Sequence, residues 1–325
     1  MTGQPRRFAI RADGGGDIGL GHVMRCAALA RALRRHGADI DWFTASPTAL
    51  PDGLGDSVRI HAIDTDSEAQ TFAACLNNAG THLLIGDWKT TPADLVADIR
   101  DKLCPVVLIG GFTGDAVADL HVRQGFCETP VDPRRPALSG APWLLLDDAY
   151  AGLPPRQVKD TASTLLVSLG GTATDLVDRV ETAIRQSPAL AHTNLQIRRP
   201  HGTRDARQLQ PLQHALQAAD LAILAGGTTL HEAAATGLPA ISIPIVPHQY
   251  DRAGQYQRLG LGLMIDPEKP CFERRITETL EALAADPGRR ARMARRGQSL
   301  VDGRGADRLA RHLIDFSLSQ QARSQ

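Results

Sequence analysis

An imidazole held where a glycine loop becomes a helix is the arrangement in this chain best suited to acid–base chemistry. The run Ile10-Arg11-Ala12-Asp13-Gly14-Gly15-Gly16-Asp17-Ile18-Gly19-Leu20-Gly21-His22-Val23-Met24-Arg25 joins a short apolar strand to a helical pattern and packs five glycines into eight residues. Glycine costs roughly 0.5–1 kcal/mol relative to alanine in regular structure, so such a cluster signals positive φ or a close backbone approach. A helix start offers unpaired N–H groups and a positive dipole end to an anion. His22 in that place is a candidate base or acid beside a phosphorylated ligand. Asp13 is the carboxylate of the same loop, and a carboxylate set close to an imidazole strengthens it as a base.

Two familiar glycine-rich machines are disfavoured by the residues themselves. Gly14, Gly16 and Gly19 satisfy the dinucleotide spacing only by overlap, and no Gly-Lys-Ser/Thr ending marks a nucleoside triphosphate loop.

A second constellation lies in the later half. Leu224-Ala225-Gly226-Gly227-Thr228-Thr229-Leu230-His231-Glu232 runs from a strand through a small-residue turn into a helix. Gly226 and Gly227 allow the backbone close to phosphate oxygens, and the Thr228 and Thr229 hydroxyls can cap the helix or bind a ligand. Glu232 has two readings of equal weight. It completes a capping box with Thr229 or complements the helix dipole, or it accepts hydrogen bonds from vicinal ribose hydroxyls.

The elements that must carry these groups alternate between strand and helix. Strands are expected at 8–12, 40–45, 58–62, 82–86, 106–109 and 144–146, with helices at 24–36, 68–79 and 92–102. A polar, proline-containing break at 150–157 reads as a linker. The pattern then restarts, with strands at 164–168, 195–198, 221–224 and 240–245 and helices at 176–186, 209–218, 230–236, 249–259 and 272–285. This alternation implies parallel sheets of the doubly wound α/β class. The expected domains are 1–150, a linker at 151–161, 162–300, and a C-terminal helix at 301–325 packing back on the first domain. Ligands of such sheets bind beyond the carboxyl ends of the strands, so the glycine loops are expected to face a cleft between the halves.

At 325 residues, with 42% hydrophobic and 22% charged content, the chain has the composition of a globular protein of about two domains. Its 36 basic and 36 acidic residues balance, which gives no global pull toward nucleic acid or an anionic surface. No apolar run is long enough to span a bilayer, and the expected location is cytoplasmic. The five cysteines are scattered and form no C-x-x-C pair, so they read as reduced thiols rather than a zinc site. Arg289-Arg290, Arg292 and Arg295-Arg296 read as a solvated basic helix face. His201, His214 and His231 read as structural or solvated, and Asp147-Asp148 as a strand-end cap rather than a metal pair.

The stretch 224–239, followed by Ile241-Ser242-Ile243-Pro244-Ile245-Val246-Pro247-His248-Gln249-Tyr250-Asp251-Arg252-Ala253, resembles the nucleotide-binding half of GT-B glycosyltransferases, such as the enzyme that forms peptidoglycan lipid II. The first glycine loop, Ser168-Leu169-Gly170-Gly171, and the tail Val301-Asp302-Gly303-Arg304-Gly305-Ala306 resemble a narrower branch. That branch is the pseudaminic-acid pathway hydrolase family, which cleaves UDP from UDP-2,4-diacetamido-2,4,6-trideoxy-β-L-altropyranose. The resemblance implies a GT-B-like α/β fold, with two Rossmann-like domains whose parallel sheets face across a cleft. It also implies inverting attack of water on a UDP-sugar, without cofactor, metal or protein partner. Transfer to an acceptor other than water is the alternative enzyme reading, and a non-catalytic nucleotide-sugar-binding protein the alternative of another class.

Residue by residue, the resemblance implies UDP held by Gly170, Gly171, Gly226, Gly227, Thr228, Thr229, Glu232, Ile245, His248 and Gln249. His22 would lie at the anomeric carbon, with Gly19, Gly21 and Asp87 near the sugar and Arg25 toward the leaving diphosphate. The chain keeps Asp87 but departs from the family pattern at the following Trp88-Lys89, at Ile109-Gly110-Gly111-Phe112-Thr113, and at His248 of the His248-Gln249 pair.

Overall fold

The computed structural model describes residues 6–323 apart from 57, 66–67, 111–115, 131, 134, 171–173 and 200–210. The chain forms two units, Met1–Asp148 with Arg304–Gln325, and Ala149–Gly303. In chain order the first carries β1 (Arg7–Ala12), α1 (Gly21–Arg35), β2 (Asp39–Thr44), β3 (Arg59–Ala62), α2 (Glu68–Ala79), β4 (Leu83–Asp87), α3 (Ala93–Lys102), β5 (Val106–Ile109), β6 (Leu120–Val122) and β7 (Ala137–Leu138). The second carries β8 (Thr164–Ser168), α4 (Thr174–Gln186), β9 (Asn194–Arg198), α5 (Leu212–Ala218), β10 (Leu221–Ala225), α6 (Thr229–Thr236), β11 (Ala240–Ile243), α7 (Pro247–Arg258), β12 (Gly262–Met264), α8 (Phe272–Ala285) and α9 (Pro287–Leu300). The chain then ends in α10 (Gly305–Arg323), which belongs to the first unit.

Each unit is built on one parallel sheet, ordered β3-β2-β1-β4-β5-β6-β7 in the first and β12-β11-β10-β8-β9 in the second. Central parallel strands are covered on both faces and therefore read as continuous apolar runs. Phe8, Ala9, Ile10 and Ala12 of β1 are fully buried, as are Leu83, Leu84 and Ile85 of β4. The register sets Ala12 opposite Asp87, so β1 and β4 end side by side although the residues are far apart in sequence.

Helix α10 buries Ala306, Leu309, Ala310 and Leu313 in the core that also holds Cys26, Ala30 and Leu33 of α1. Their three- and four-residue spacing is the apolar stripe of a core-facing helix. Close backbone approach explains the glycines that lead into it. A Cβ on Gly305 would lie 2.1 Å from the Leu144 carbonyl oxygen, and one on Gly303 2.2 Å from that of Tyr150.

Some expectations are corrected here. Residues 144–146 are buried but join no ladder, because the Gln124 side chain holds the segment instead. Gln124 Oε1 accepts from Leu145 N at 3.0 Å, and Nε2 donates to the Trp143 carbonyl at 3.0 Å. The short strands β6, β7 and β12 escape a periodicity reading. Arg290 of α9 is not solvated but fully buried. It donates to the carbonyls of Leu283, Lys159, Asp160 and Ala284 at 2.9, 2.9, 2.7 and 3.2 Å, tying the start of the second unit to α8. His231 is fully buried, which fits the structural and not the solvated of its two readings. Asp147 and Asp148 pair with Arg31 and Arg35 of α1.

Candidate active site

The loop between β1 and α1 is closed by its own backbone. Gly15 N donates to the Gly19 carbonyl at 3.0 Å, and Gly19 N to that of Gly15 at 3.2 Å. The closure needs left-handed backbone at Gly15, Gly16 and Gly19, with φ of 85°, 44° and 76°, which residues with a Cβ rarely adopt. The loop delivers the chain to α1 at Gly21, after Leu20 as N-cap with no side-chain capping bond. The first N–H groups of α1 thus remain free of a side-chain cap.

His22 is the second residue of α1 and keeps about a fifth of its side chain exposed (20%), while its carboxylate partner Asp87 has none exposed (0%). His22 Nδ1 lies 2.8 Å from Asp87 Oδ1. The assigned roles are Nδ1–H as donor and the carboxylate as acceptor, which leaves the lone pair on Nε2. Arg25 donates through Nε to Oδ2 and through Nη2 to Oδ1, both at 2.6 Å, and the Cys26 thiol approaches Oδ2 at 3.4 Å. Burial by itself raises the Asp87 carboxyl, but the Arg25 charge and the hydrogen bonds from His22 and Arg25 outweigh it and hold the group below the usual carboxylate range. Burial, and then the Asp87 charge, push the Cys26 thiol well up, so it stays protonated.

These contacts revise the roles drawn from sequence. Asp13 is not the partner of His22. It accepts from Thr44 Oγ1 at 2.9 Å and Ala45 N at 2.7 Å and pairs with Arg11 at 2.7 Å, which fastens the loop to the end of β2. Asp87 is fully enclosed and offers no oxygen to a sugar. Arg25 is 8% exposed with its fork spent on Asp87, so it is not directed at a diphosphate. Arg11, the other buried cation of this region, is bound by Glu68 at 2.7 and 3.1 Å.

In the second unit β10 ends at Ala225, and the turn Gly226-Gly227-Thr228 leads into α6. Gly226 is required by close packing, since an added Cβ would meet both Cβ and the carbonyl oxygen of Gln249 at 2.9 Å. Gln249 Oε1 accepts from Ile245 N at 2.9 Å, and Arg252 Nη1 donates to the Gly226 carbonyl at 3.4 Å. The turn is thereby braced against α7. Neither α6, with N-cap Thr228, nor α7, with N-cap Val246, has a side-chain capping bond. Two helix starts from neighbouring strands β10 and β11 are therefore without side-chain caps. The capping-box reading of Glu232 fails, because Thr229 is already helical and the cap position falls on Thr228, but Glu232 does lie in the first turn of α6, where it complements the helix dipole.

Thr228, Thr229, Glu232, Ile245 and Gln249 are half-buried, and His248 is exposed. Glu232 contributes to the surroundings of Arg198, whose guanidinium burial pushes down while Tyr150 and Glu232 pull it back up. Gly170 has φ of 83° after β8, and Gly171 lies outside the described residues. Sequence reasoning assigned no role to Gly110, Arg198 or Arg252. Arg252 follows the quoted His248-Gln249 pair and could have been found as a cation one helical turn beyond it. Among the described residues no group of three His, Cys, Asp or Glu side chains could hold a metal ion. Nor is any helix there long and apolar enough to cross a membrane.

The paired parallel-sheet units define a GT-B-like α/β fold, which solved structures share. The calicheamicin glycosyltransferase CalG4 aligns at a TM-score of 0.66 with 18% identity, over 98% of this chain and all (100%) of that one. Residues 206–308 match the glycosyltransferase family 28 C-terminal domain. The spore coat polysaccharide biosynthesis protein SpsG of Bacillus subtilis (strain 168) is 24% identical, over 94% of this chain and 97% of its own. The UDP-N-acetylglucosamine–N-acetylmuramyl-(pentapeptide) pyrophosphoryl-undecaprenol N-acetylglucosamine transferase of Marinobacter nauticus is 24% identical, over 97% of this chain and 99% of its own. The chain is thus similar to glycosyltransferases, and its fold is GT-B-like. These matches overturn the hydrolase reading and its pseudaminic-acid substrate, since the similar proteins whose names state a reaction are transferases.

Proposed function

We propose that this protein is a glycosyltransferase that moves a sugar from a UDP-sugar to an acceptor other than water, with His22 as the base. The contact between His22 Nδ1 and the enclosed Asp87 carboxylate carries the reading. With Nδ1–H given to Asp87, Nε2 accepts the proton of an acceptor hydroxyl as its oxygen attacks the anomeric carbon. The bond from that carbon to the diphosphate oxygen breaks, and UDP leaves with the electron pair. A single displacement inverts the anomeric centre.

The second unit supplies the hold on UDP. Its supports are the bare backbone of Gly226 and Gly227, the hydroxyls of Thr228 and Thr229, and the positive ends of α6 and α7, whose N-cap side chains make no capping bond and which favour the charge that grows on the leaving diphosphate. Glu232 receives the ribose hydroxyls, and Ile245, His248 and Gln249, with the loop at Gly170 and Gly171, complete the nucleotide site. Gly19 and Gly21 put no side chain at their own positions beside His22, and the open space at Gly19 leaves room for the sugar.

The test is UDP release from UDP-N-acetylglucosamine and other UDP-sugars, with and without added hydroxyl acceptors, alongside calorimetric UDP binding. Release that depends on acceptor, with UDP bound in both cases, supports the reading. Equal release without acceptor, or no affinity for UDP, sinks it.

A further inference from the structure

We propose that Arg25 is a positioning residue for the His22–Asp87 pair: its fork fixes the carboxylate plane and offsets its charge, so that the pair presents an unprotonated Nε2 to the acceptor. This rests on the reading of His22 as the base.

The geometry shows how one guanidinium does both. Arg25 meets Asp87 side-on, Nε to Oδ2 and Nη2 to Oδ1, each at 2.6 Å. Oδ1 also receives His22 Nδ1 at 2.8 Å, and Oδ2 lies 3.4 Å from the Cys26 thiol. Two N–H donors converge on Oδ1, which brings Arg25 Nη2 within 3.1 Å of His22 Nδ1. A lone buried carboxylate facing an imidazole stabilises the imidazolium, and a ring that already holds that proton has no lone pair to take one from an acceptor. A cation bound to the same carboxylate opposes that proton, while the hydrogen bond to Nδ1 still fixes the tautomer and ring orientation. The planar fork also leaves the carboxylate little freedom to rotate.

The backbone on the far side supports this arrangement. Gly110, directly after β5, has φ of 98°, and a Cβ there would lie 2.7 Å from Arg25 Nη2 and 3.4 Å from Asp87 Oδ1. The chain therefore passes over the fork with no space for a side chain. The titratable groups facing the pair are Arg25 and Cys26 from α1, while β4 supplies Asp87 itself and the chain after β5 contributes Gly110; residues 111–115 lie outside the described set.

The experiment follows the His22 ring nitrogens and the Asp87 carboxyl by NMR across pH, with kcat and kcat/KM profiles, in wild type, Arg25→Gln and Arg25→Lys. In Arg25→Gln the pair is expected to take up a proton about one pH unit higher or more, and the acid limb of kcat/KM to move the same way. Arg25→Lys keeps the charge but not the fork, so proton uptake stays near wild type while kcat falls roughly tenfold. A folded Arg25→Gln with wild-type proton uptake and acid limb overturns the proposal. If that variant does not fold, Arg25→Lys decides: kcat equal to wild type overturns it. Failure of the underlying reading is separate, since transfer that survives His22→Gln removes the base assignment without touching the proton-uptake result.

Discussion

His22 on α1 and Asp87 at the end of β4 meet at 2.8 Å across 65 residues of sequence because β1 and β4 are neighbouring parallel strands in register. Each side chain has its own test. His22→Gln and Asp87→Asn are expected to lower kcat by about 10²–10⁴-fold, the range for losing a positioned general base. UDP affinity, measured by calorimetry, is expected to change little in His22→Gln. A parallel loss of UDP binding would move His22 from chemistry to ligand retention.

Gly226→Ala drives a methyl group into Gln249 at 2.9 Å. Overpacking of this kind costs about 1–3 kcal/mol, and the turn must shift to relieve it. UDP affinity is expected to fall roughly tenfold or more, a tenfold change corresponding to about 1.4 kcal/mol. Unchanged affinity would show that the turn does not hold the nucleotide.

Stability should depend on acid through Asp87. The folded protein holds this carboxyl below its ordinary value through Arg25 and His22, against the effect of burial. A depressed folded value contributes stability that is complete above the unfolded value of about 3.9 and is lost as pH falls through the lower folded value. Urea midpoints taken from pH 6 downward should therefore drop in wild type. Asp87→Asn should start less stable and show a shallower drop, and parallel curves would contradict the assignment.

Arg290→Met keeps the bulk of a fully buried side chain but removes donors to four carbonyls, those of Leu283, Ala284, Lys159 and Asp160. Stranded buried acceptors of this kind make a loss of about 2–4 kcal/mol the expected outcome in urea unfolding. A loss within about 0.5 kcal/mol would show that these four bonds do not contribute to the stability of the fold.

What could be read without coordinates was local. Apolar runs at 8–12, 106–109 and 164–168 mark strands, and the spacing at 272–285 marks a helix, because the periods of strand and helix are written in neighbouring residues. The glycine loop before His22 and the turn at Gly226 were legible for the same reason, since the need for positive φ or bare backbone falls on the residues that supply it.

Partnership is not local. Asp13, nine positions before His22, was the nearer carboxylate in sequence, yet the end of β2 claims it, and the ladder between β1 and β4 brings Asp87 instead. Arg25 and Arg290 both read as cations for solvent or ligand. Burial against carbonyls or a carboxylate turned them into internal ties, because a guanidinium taken out of water must find acceptors wherever the packing offers them. The sequence by itself determined which segments become strands, helices and glycine turns. Only the tertiary structure decided which charges face one another, since strand order and register bring together side chains whose spacing along the chain carries no signal.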